Sequence, residues 1–486
     1  MSRLNPLLTR SGSELAEMIR QGETSSAAVV DAHIQRIEQV NPLLNLVVEQ
    51  RFAQARAEAR AADERLAAAG PGGVPPFHGV PCTIKESFAL TGMPNTAGLM
   101  ARRGTLAEHD ATTVRRYREA GAIPLGVTNV SELCMWMESY NKVYGRSRNP
   151  YDSRRIVGGS SGGEGGIIGA GGSPFGLGSD IGGSIRMPAF FNGVFGHKPT
   201  GGLVPGTGQW PYAEGDARRF VTTGPLARRA EDLWPLLQIL AGPDGEDGGC
   251  RDVALGDPAT VQLEGLTVLD VPDNGTTPVS QDLRAAQRRV VDWLARQGAR
   301  VVRLEVGRGR LDALRQSLLI WSSMLSAAGG TSYRELLETG GRINLPWELL
   351  RTLWRGSPFT VPSLGLAVLE LVPKLLPGNR EGLVQRGLEL KAELVERIGP
   401  RGVMIYPPYS SPAPRHVQPL LPPFNWVYTA IINVMELPST AVPLGLNDQG
   451  LPLGVQVVGI HDHDHVTVAV AQALEGAFGG WVTPPR

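Results

Sequence analysis

The sequence predicts an α/β protein that folds as one large domain. Short apolar runs bounded by Gly and Pro recur along its 486 residues, and stretches of helical periodicity separate them. Hydrophobic residues make up 42% of the chain, which is enough to bury a large core. There is no internal repeat, and Gly and Pro are spread throughout, so nothing divides the chain cleanly.

The first 70 residues predict three helices. Ser13 can cap the first helix, which would end at Arg20, and Ser25 or Ser26 can cap the second. The third helix is expected over residues 51–69.

The sheet core is predicted to lie within residues 77–305 and 400–486. Six apolar runs there indicate strands: HGVPCTIK, GAIPLGVTN, GLTVLDVPD, ARVVRLEV, GVMIYPPY and LGVQVVG.

Residues 311–400 form the variable, apolar part of the chain. Residues 311–380, which include the apolar run over 357–378, allow two interpretations: helical cover for the sheet, or an apolar cap that shapes a pocket or touches a lipid surface. Pro362 and Pro373, together with Glu370, argue against a membrane-spanning helix.

Composition excludes several classes of function. Positive and negative residues balance at 47 each, with no basic block suited to nucleic acid, so a small, roughly neutral substrate fits better. Cys82, Cys134 and Cys250 lack CxxC spacing, which argues against a disulfide framework and a structural zinc site. No signal peptide or membrane span is evident, so we expect a cytoplasmic protein.

The segment 156–200 is unusually rich in glycine. Nine of the fifteen residues from Gly158 to Gly172 are glycine. Each costs about 0.5 to 1 kcal/mol relative to alanine, so such a run persists where positive φ or close main-chain approach is required. A flexible linker is the alternative, but Ile167, Ile168 and Phe175 are apolar residues that a solvated linker does not need.

Two short segments match known serine-hydrolase motifs, but both matches are weak evidence for a nucleophile. Residues 159–163 match G-x-S-x-G with Ser161 as nucleophile, but residues 149–155 before them are turn-like rather than strand-like. Ser139 and Lys142 fit S-x-x-K without the accompanying SDN or KTG triplets. A histidine triad would have to recruit one of eight histidines.

The sequence resembles the amidase signature family. Four segments carry the resemblance: GVPCTIKE around Lys85, GGSSGG at 158–163, GSDIGGSIRMPA at 178–189 and PLGVQVVG at 452–459. The spacings agree too, with 75 residues from Lys85 to Ser160 and 24 from Ser160 to Ser184. Within the family, ELCMWMESYNKVYGRSRNPYD and GSIRMPAFFNGVFGHKP are most similar to fatty-acid amide hydrolases of the second type.

This resemblance implies a mixed, twisted β-sheet core flanked by helices, and an amide hydrolase that needs no cofactor. It makes Ser184 the nucleophile, Ser160 the bridging serine and Lys85 the base, with a cis peptide bond entering Ser160. A lysine accepts a proton only when neutral, so its pKa must fall from about 10.4. The apolar strand around Lys85 is expected to be interior, which favours that change.

The resemblance also assigns the groups around the nucleophile. A turn through Ile181, Gly182, Gly183 and Ser184 can aim successive N–H groups at one oxyanion. Cys134 falls where the family places a substrate-facing carbonyl. The residues that brace the loop are Ser161, Ser179, Asp180 and Arg186; for the last two, a surface ion pair is the alternative.

The run His461 to His465 invites a metal hypothesis. Alternate residues of a strand lie several ångströms apart and no partner site is evident, so we expect a solvated turn before the last helix and name no metal.

The predicted function is hydrolysis of a carboxamide or N-acyl amide through an acyl-enzyme. Apolar residues near the site favour a fatty or aryl acyl group: Met135, Trp136, Met187, Phe190 and Phe191. The alternatives are the amidase subunit of a glutamine-dependent aminoacyl-tRNA amidotransferase, a cyclic or oligomeric amide hydrolase, and a silent scaffold. The expected partner is a small-molecule amide; peripheral lipid contact and a homodimer are compatible with the sequence.

Overall fold

A central mixed β-sheet organises the chain and confirms the predicted α/β fold. The computed structural model describes residues 4–307, 309–354, 356–370, 380–421 and 423–485. Within the predicted variable region 311–400, residues 355 and 371–379, which include Pro373, lie outside the described residues.

The strands of the described chain are β1 Val47–Gln50, β2 Pro81–Lys85, β3 Ile123–Thr128, β4 Tyr140–Asn141, β5 Gly145–Arg146, β6 Phe175–Asp180, β7 Phe195–Lys198, β8 Thr222–Ala227, β9 Thr267–Asp270, β10 Arg300–Arg303, β11 Gly402–Tyr406, β12 Ser439–Leu446 and β13 Pro452–Val458. Eleven of these form one sheet in the order β1-β3-β2-β6-β8-β7-β12-β13-β11-β9-β10, while β4 and β5 form a separate hairpin.

Parallel and antiparallel pairs alternate in blocks across the sheet. Strands β3, β2 and β6 are parallel, with Thr83 opposite Gly176 and Ile84 opposite Leu177. The strands from β6 through β13 to β11 pair antiparallel, and β11, β9 and β10 are parallel again. Every residue of β2, β3 and β6 is buried, as expected for strands covered by helices on both faces.

The helices of the described chain are α1 Gly12–Arg20, α2 Ser26–Leu44, α3 Phe52–Ala69, α4 Thr112–Glu119, α5 Gly162–Gly169, α6 Arg186–Phe191, α7 Ala217–Phe220, α8 Leu233–Leu240, α9 Gln281–Arg296, α10 Ser317–Ala327, α11 Tyr333–Leu337, α12 Leu345–Thr352, α13 Val361–Leu369, α14 Arg380–Ile398, α15 Val427–Val434 and α16 Asp464–Phe478.

The predicted N-terminal helices are present, with one cap reassigned. Ser11, not Ser13, caps α1, because its hydroxyl accepts from the Glu14 N–H in a capping box. The Ser13 hydroxyl instead donates to the buried Asp232 carboxylate, which ties α1 to the start of α8. Ser25 caps α2 as predicted.

Each of the six predicted apolar runs contains a strand, but several strands were missed. Strand β6 is the most important of these because it lies next to β2 at the centre of the sheet. Its sequence, FGLGSD, carries two glycines, which weaken the strand pattern.

The described residues between α10 and α14 expose much apolar surface. Leu353 is 74% exposed and Trp354 is 69% exposed at the end of α12. Among the described residues, no helix combines the length and apolar character needed to cross a bilayer.

Candidate active site

Adjacent central strands place Lys85 beside Ser179. Lys85 ends β2, Ser179 lies near the end of the neighbouring parallel strand β6, and the Lys85 side chain is fully buried. Lys85 Nζ lies 2.6 Å from Ser160 Oγ and 2.9 Å from Ser179 Oγ, so it contacts the hydroxyls of two segments at once.

The Ser160 hydroxyl reaches Lys85 from a tightly constrained glycine turn. The Gly159–Ser160 peptide bond is cis, as the resemblance implied, and Gly158 has a φ of +84°. A Cβ at Gly159 would lie 2.3 Å from the Trp136 carbonyl oxygen, so a side chain there cannot be accommodated without movement. Close main-chain approach thus accounts for glycine at these positions.

The β6–α6 turn, residues 181–184, carries Ser184 at the wall of the cavity. In the described structure, the N–H groups of Ile181, Gly182 and Ser184 have no hydrogen-bond acceptor, whereas the Gly183 N–H donates to Asp180 Oδ1 at 2.7 Å. The predicted oxyanion turn therefore presents three open N–H groups, and that of Gly183 is taken up by a carboxylate.

Asp180 and Arg186 form a fully buried pair rather than the surface ion pair that was the alternative. The Asp180 carboxylate accepts from the guanidinium and from the N–H groups of Gly183, Ile185 and Arg186. Burial alone would raise the pKa of Asp180, but the Arg186 guanidinium outweighs it and holds that pKa well below its usual range. The pair fixes the turn on both sides of Ser184.

Ser161 lies directly behind the centre. Its N–H donates to the Ser184 carbonyl at 3.2 Å, and its hydroxyl donates to the Ser179 carbonyl at 3.3 Å. Ser161 is fully buried and is not part of the cavity wall, which does not suit the nucleophile of a G-x-S-x-G elbow.

The S-x-x-K serine also has a main-chain role. The Ser139 hydroxyl donates to the carbonyls of Gly158 and Ser160, so it supports the glycine turn. No histidine is among the described residues that line the cavity.

Burial sets the electrostatics of this centre. It lowers the pKa of the Lys85 ammonium, with the nearby Cys134, Asp180 and Glu164 opposing the change. Burial also raises the pKa of Glu164 to about 8, although the hydroxyls of Thr83 and Thr128 donate to its carboxylate. A neutral Glu164 near pH 7 leaves less negative charge to hold a proton on Lys85.

A cavity of about 230 Å³ opens beside Ser184. The described residues that line it carry no charged side chain: Cys134, Met135, Trp136, Met137, Gly159, Ile181, Gly182, Ser184, Met187, Trp321, Val361, Pro362, Gly365, Leu366, Leu420, Pro423, Phe424 and Trp426. Helices α10 and α13 thus contribute directly to its wall. Cys134, with a φ of +59°, lies in that wall near the centre, while Phe190 and Phe191 are buried in the core instead.

Residues 461–463 form a turn before α16, as expected, but Asp464 and His465 already belong to the helix, and Asp464 is not solvated. Asp464 is buried and accepts from the Thr200 N–H and hydroxyl, and it contacts His197 at 3.1 Å. Within the described ranges, no group of three or more His, Cys, Asp or Glu side chains is arranged to hold a metal ion.

Comparison with known proteins identifies the family. A family model described as "Amidase" matches residues 28–353, so the chain belongs to the amidase family. It is 46% identical to human fatty-acid amide hydrolase 2, over 99% of this chain and 91% of that protein.

More distant relatives include the other predicted activities. A glutamyl-tRNA(Gln) amidotransferase subunit from Roseiflexus castenholzii is 31% identical, over 94% of this chain and 93% of that protein. A solved structure of 6-aminohexanoate cyclic dimer hydrolase superposes with a TM-score of 0.80 at 27% identity, over 98% of this chain and 99% of that one.

Sequence reasoning missed several residues that surround the centre. Glu164 was visible as a carboxylate inside a glycine run, but nothing local showed that two threonines from neighbouring strands would meet it. Arg186 also donates to Gln456 and Asn433, which lie 270 and 247 residues further along the chain. Only the tertiary fold brings these groups together.

Proposed function

We propose that this amidase hydrolyses N-acyl amides that carry a hydrophobic acyl group, through an acyl-enzyme on Ser184. The observation that carries this proposal is the cavity beside Ser184, whose described wall is almost entirely apolar and free of charged side chains. A fatty or aryl chain can fill such a cavity without leaving a buried charge unpaired.

In the proposed reaction, neutral Lys85 accepts the proton of Ser160 while Ser160 accepts that of Ser184. The Ser184 oxygen adds to the amide carbon, and the resulting oxyanion takes hydrogen bonds from the open N–H groups of the β6–α6 turn. Ser160 then donates a proton to the departing amine and takes one back from the Lys85 ammonium, which returns Lys85 to its neutral form. Water releases the carboxylic acid from Ser184 by the same proton route.

The same cavity disfavours one of the two alternative activities, the hydrolysis of free glutamine. Free glutamine carries an α-ammonium and an α-carboxylate, and the described lining offers no charged side chain to pair with either. A cyclic or oligomeric amide is neutral, so the lining alone does not disfavour it.

An amide panel tests the proposal. Short aliphatic amides, aryl amides, long-chain N-acyl ethanolamides, cyclic amides and glutamine would be compared, with Ser184→Ala as the blank. We expect the highest kcat/KM for long-chain or aryl amides. Equal turnover by Ser184→Ala, or a preference for glutamine, would contradict the proposal.

We further propose that exposed apolar residues of α12, of the turn that follows it and of α13 make peripheral contact with lipid. Trp347, Leu350, Leu353, Trp354 and Val361 are exposed, and Val361 also lines the cavity. An apolar substrate dissolved in a membrane would thus meet the cavity wall directly.

Binding to phosphatidylcholine vesicles tests this contact. Replacing Leu353 and Trp354 with serine should weaken co-sedimentation, because their apolar area is lost. Leu43→Ser is the matched control, since Leu43 is 56% exposed on α2, elsewhere on the surface. Equal binding by all variants would contradict the contact.

The unpaired cysteines at 82, 134 and 250 are compatible with a reducing, cytoplasmic setting.

A further inference from the structure

The main-chain carbonyls of the β6–α6 turn are held by side chains from distant elements. Trp321 Nε1 donates to the Ile181 carbonyl oxygen at 3.0 Å. The Thr429 hydroxyl donates to the Gly182 carbonyl oxygen at 2.8 Å. Trp321 lies on α10 and Thr429 on α15, so both bonds reach the turn from outside it.

These bonds fix the directions of the neighbouring N–H groups. A trans peptide unit is planar, and its C=O and N–H point in opposite directions. The Ile181–Gly182 unit is trans. Because Trp321 holds the Ile181 carbonyl, it also fixes the direction of the Gly182 N–H, which points away from the indole.

The next peptide unit, Gly182–Gly183, is held at both its N–H and its carbonyl, whereas, among the described residues, the Ile181–Gly182 unit is held by Trp321 alone. The Gly183 N–H is held directly by Asp180, while Thr429 holds the carbonyl of the same unit. In the described structure the Gly182 N–H has no acceptor, and the Ile181 carbonyl has Trp321 as its one hydrogen-bond donor. The orientation of this open N–H thus depends on a single indole.

The same indole belongs to the cavity wall. Its ring packs edge-on against Trp426, with centroids 4.8 Å apart and an interplanar angle of 82°. The Trp426 ring in turn lies 3.4 Å from where a Cβ at Gly182 would be. Both rings line the cavity, so an acyl group that fills it would contact them.

We propose that Trp321 is a positioning residue for amide hydrolysis, which orients the Gly182 N–H toward the oxyanion through its hydrogen bond to the Ile181 carbonyl. This inference rests on the proposed function of Ser184. The indole contacts the acyl side of the substrate and acts on the reacting carbonyl only through the main chain.

Trp321→Phe tests the inference by removing the N–H donor while keeping an aromatic ring. We expect kcat to fall by about tenfold or more, with KM changed by less than about threefold, because the lost interaction acts mainly in the transition state. Affinity for a trifluoromethyl ketone, whose adduct with Ser184 is tetrahedral, should fall by a similar factor. Affinity for the matching secondary alcohol, which forms no adduct, should stay within about threefold.

Trp481→Phe is the matched control. Trp481 is buried, whereas Trp321 is half-buried, and the Trp481 indole donates to the Gly169 carbonyl at 3.0 Å, outside the cavity wall. Equal losses in the two variants, or an unchanged kcat and ketone affinity in Trp321→Phe, would overturn the inference.

Two further measurements separate the possible failures. If wild-type turnover persists in Ser184→Ala, the proposed function fails; if it depends on Ser184 but not on Trp321, only this inference fails. Should Trp321→Phe not fold, benzothienylalanine at position 321 keeps the ring shape and lacks the N–H. Full kcat and full ketone affinity in that protein would overturn the inference as well.

Discussion

Lys85 is useful as a base only in its neutral form, and its complete burial favours that form. Lys85→Ala should therefore lower kcat by at least about a thousandfold, because the proposed relay then lacks its base: in the described structure the Ser160 hydroxyl contacts no other side-chain amine. Lys142→Ala is the control, since it removes the lysine of the S-x-x-K motif. Steady-state kinetics with a verified folded state checks both, and a larger loss in Lys142→Ala would revive that motif.

The pH profile of kcat should follow the same group. Because burial lowers the pKa of Lys85 from its ordinary value of about 10.4, the neutral amine forms at a lower pH than it does in a solvated lysine. Activity should rise with pH through this pKa and fall as the ammonium forms at lower pH. Lys85→Arg, which stays charged, should be inactive at every pH, and turnover by that variant would contradict the assignment.

Gly183 provides a second residue-level test. Its φ is +116°, and a Cβ added there would lie 2.1 Å from Thr429 Oγ1, so there is no room for a side chain. Gly183→Ala should lower kcat by about a hundredfold or more, because the turn that carries Ser184 must move. A Cβ added at Gly182 would lie 3.4 Å from the nearest atom, so Gly182→Ala should lower kcat by less. The reverse order of losses would argue against this account.

Among the structural elements, α13 is the helix of the variable region through which we expect substrate choice to be affected. Pro362, Gly365 and Leu366 of this helix line the cavity. Leu366→Trp should reduce the cavity volume and lower kcat/KM for long acyl chains by about tenfold, with less effect on short ones. A substrate series of increasing chain length measures this. An unchanged length profile would show that the acyl group does not lie against α13.

The elements differ in how well the sequence reveals them. Apolar strands such as β2, β3 and β13 were recognisable because each position is buried and few polar residues interrupt them. Strand β6 was not, since its glycines have low strand preference although tertiary pairing holds them.

Local motifs also revealed more of the site near Ser160 and Ser184 than of its distant walls. The glycine turns are short-range features, and the sequence shows them directly. Trp321 and Thr429 reach the centre through packing of α10 and α15, which no spacing along the chain indicates.

The subdivision of the chain at residues 70, 305 and 400 stays a prediction, as does a homodimer.

For the whole molecule, the buried Glu164 makes stability depend on pH. Its folded pKa of about 8 lies above the ordinary value of 4.5, so the folded state binds the proton more tightly than the unfolded state does. Wild-type stability should thus decline as pH rises from about 5 to 8. Glu164→Gln lacks this ionisation, so its thermal midpoint relative to wild type should rise over the same range.

An exposed carboxylate supplies the control. Glu119 is largely exposed and pairs with Arg115 on the surface, so Glu119→Gln should show no such trend relative to wild type. Parallel pH curves for wild type and Glu164→Gln would indicate that Glu164 is ionised in the folded protein.

The parallel pairing of β2 with β6, with Ile84 opposite Leu177, has a practical consequence. A shift of β2 by one residue would turn Lys85 to the other side of the sheet and separate it from Ser160 and Ser179. Molecules with this register shift would consequently have no amidase activity. The specific activity of a preparation can therefore measure the fraction of molecules that have folded with the correct strand register.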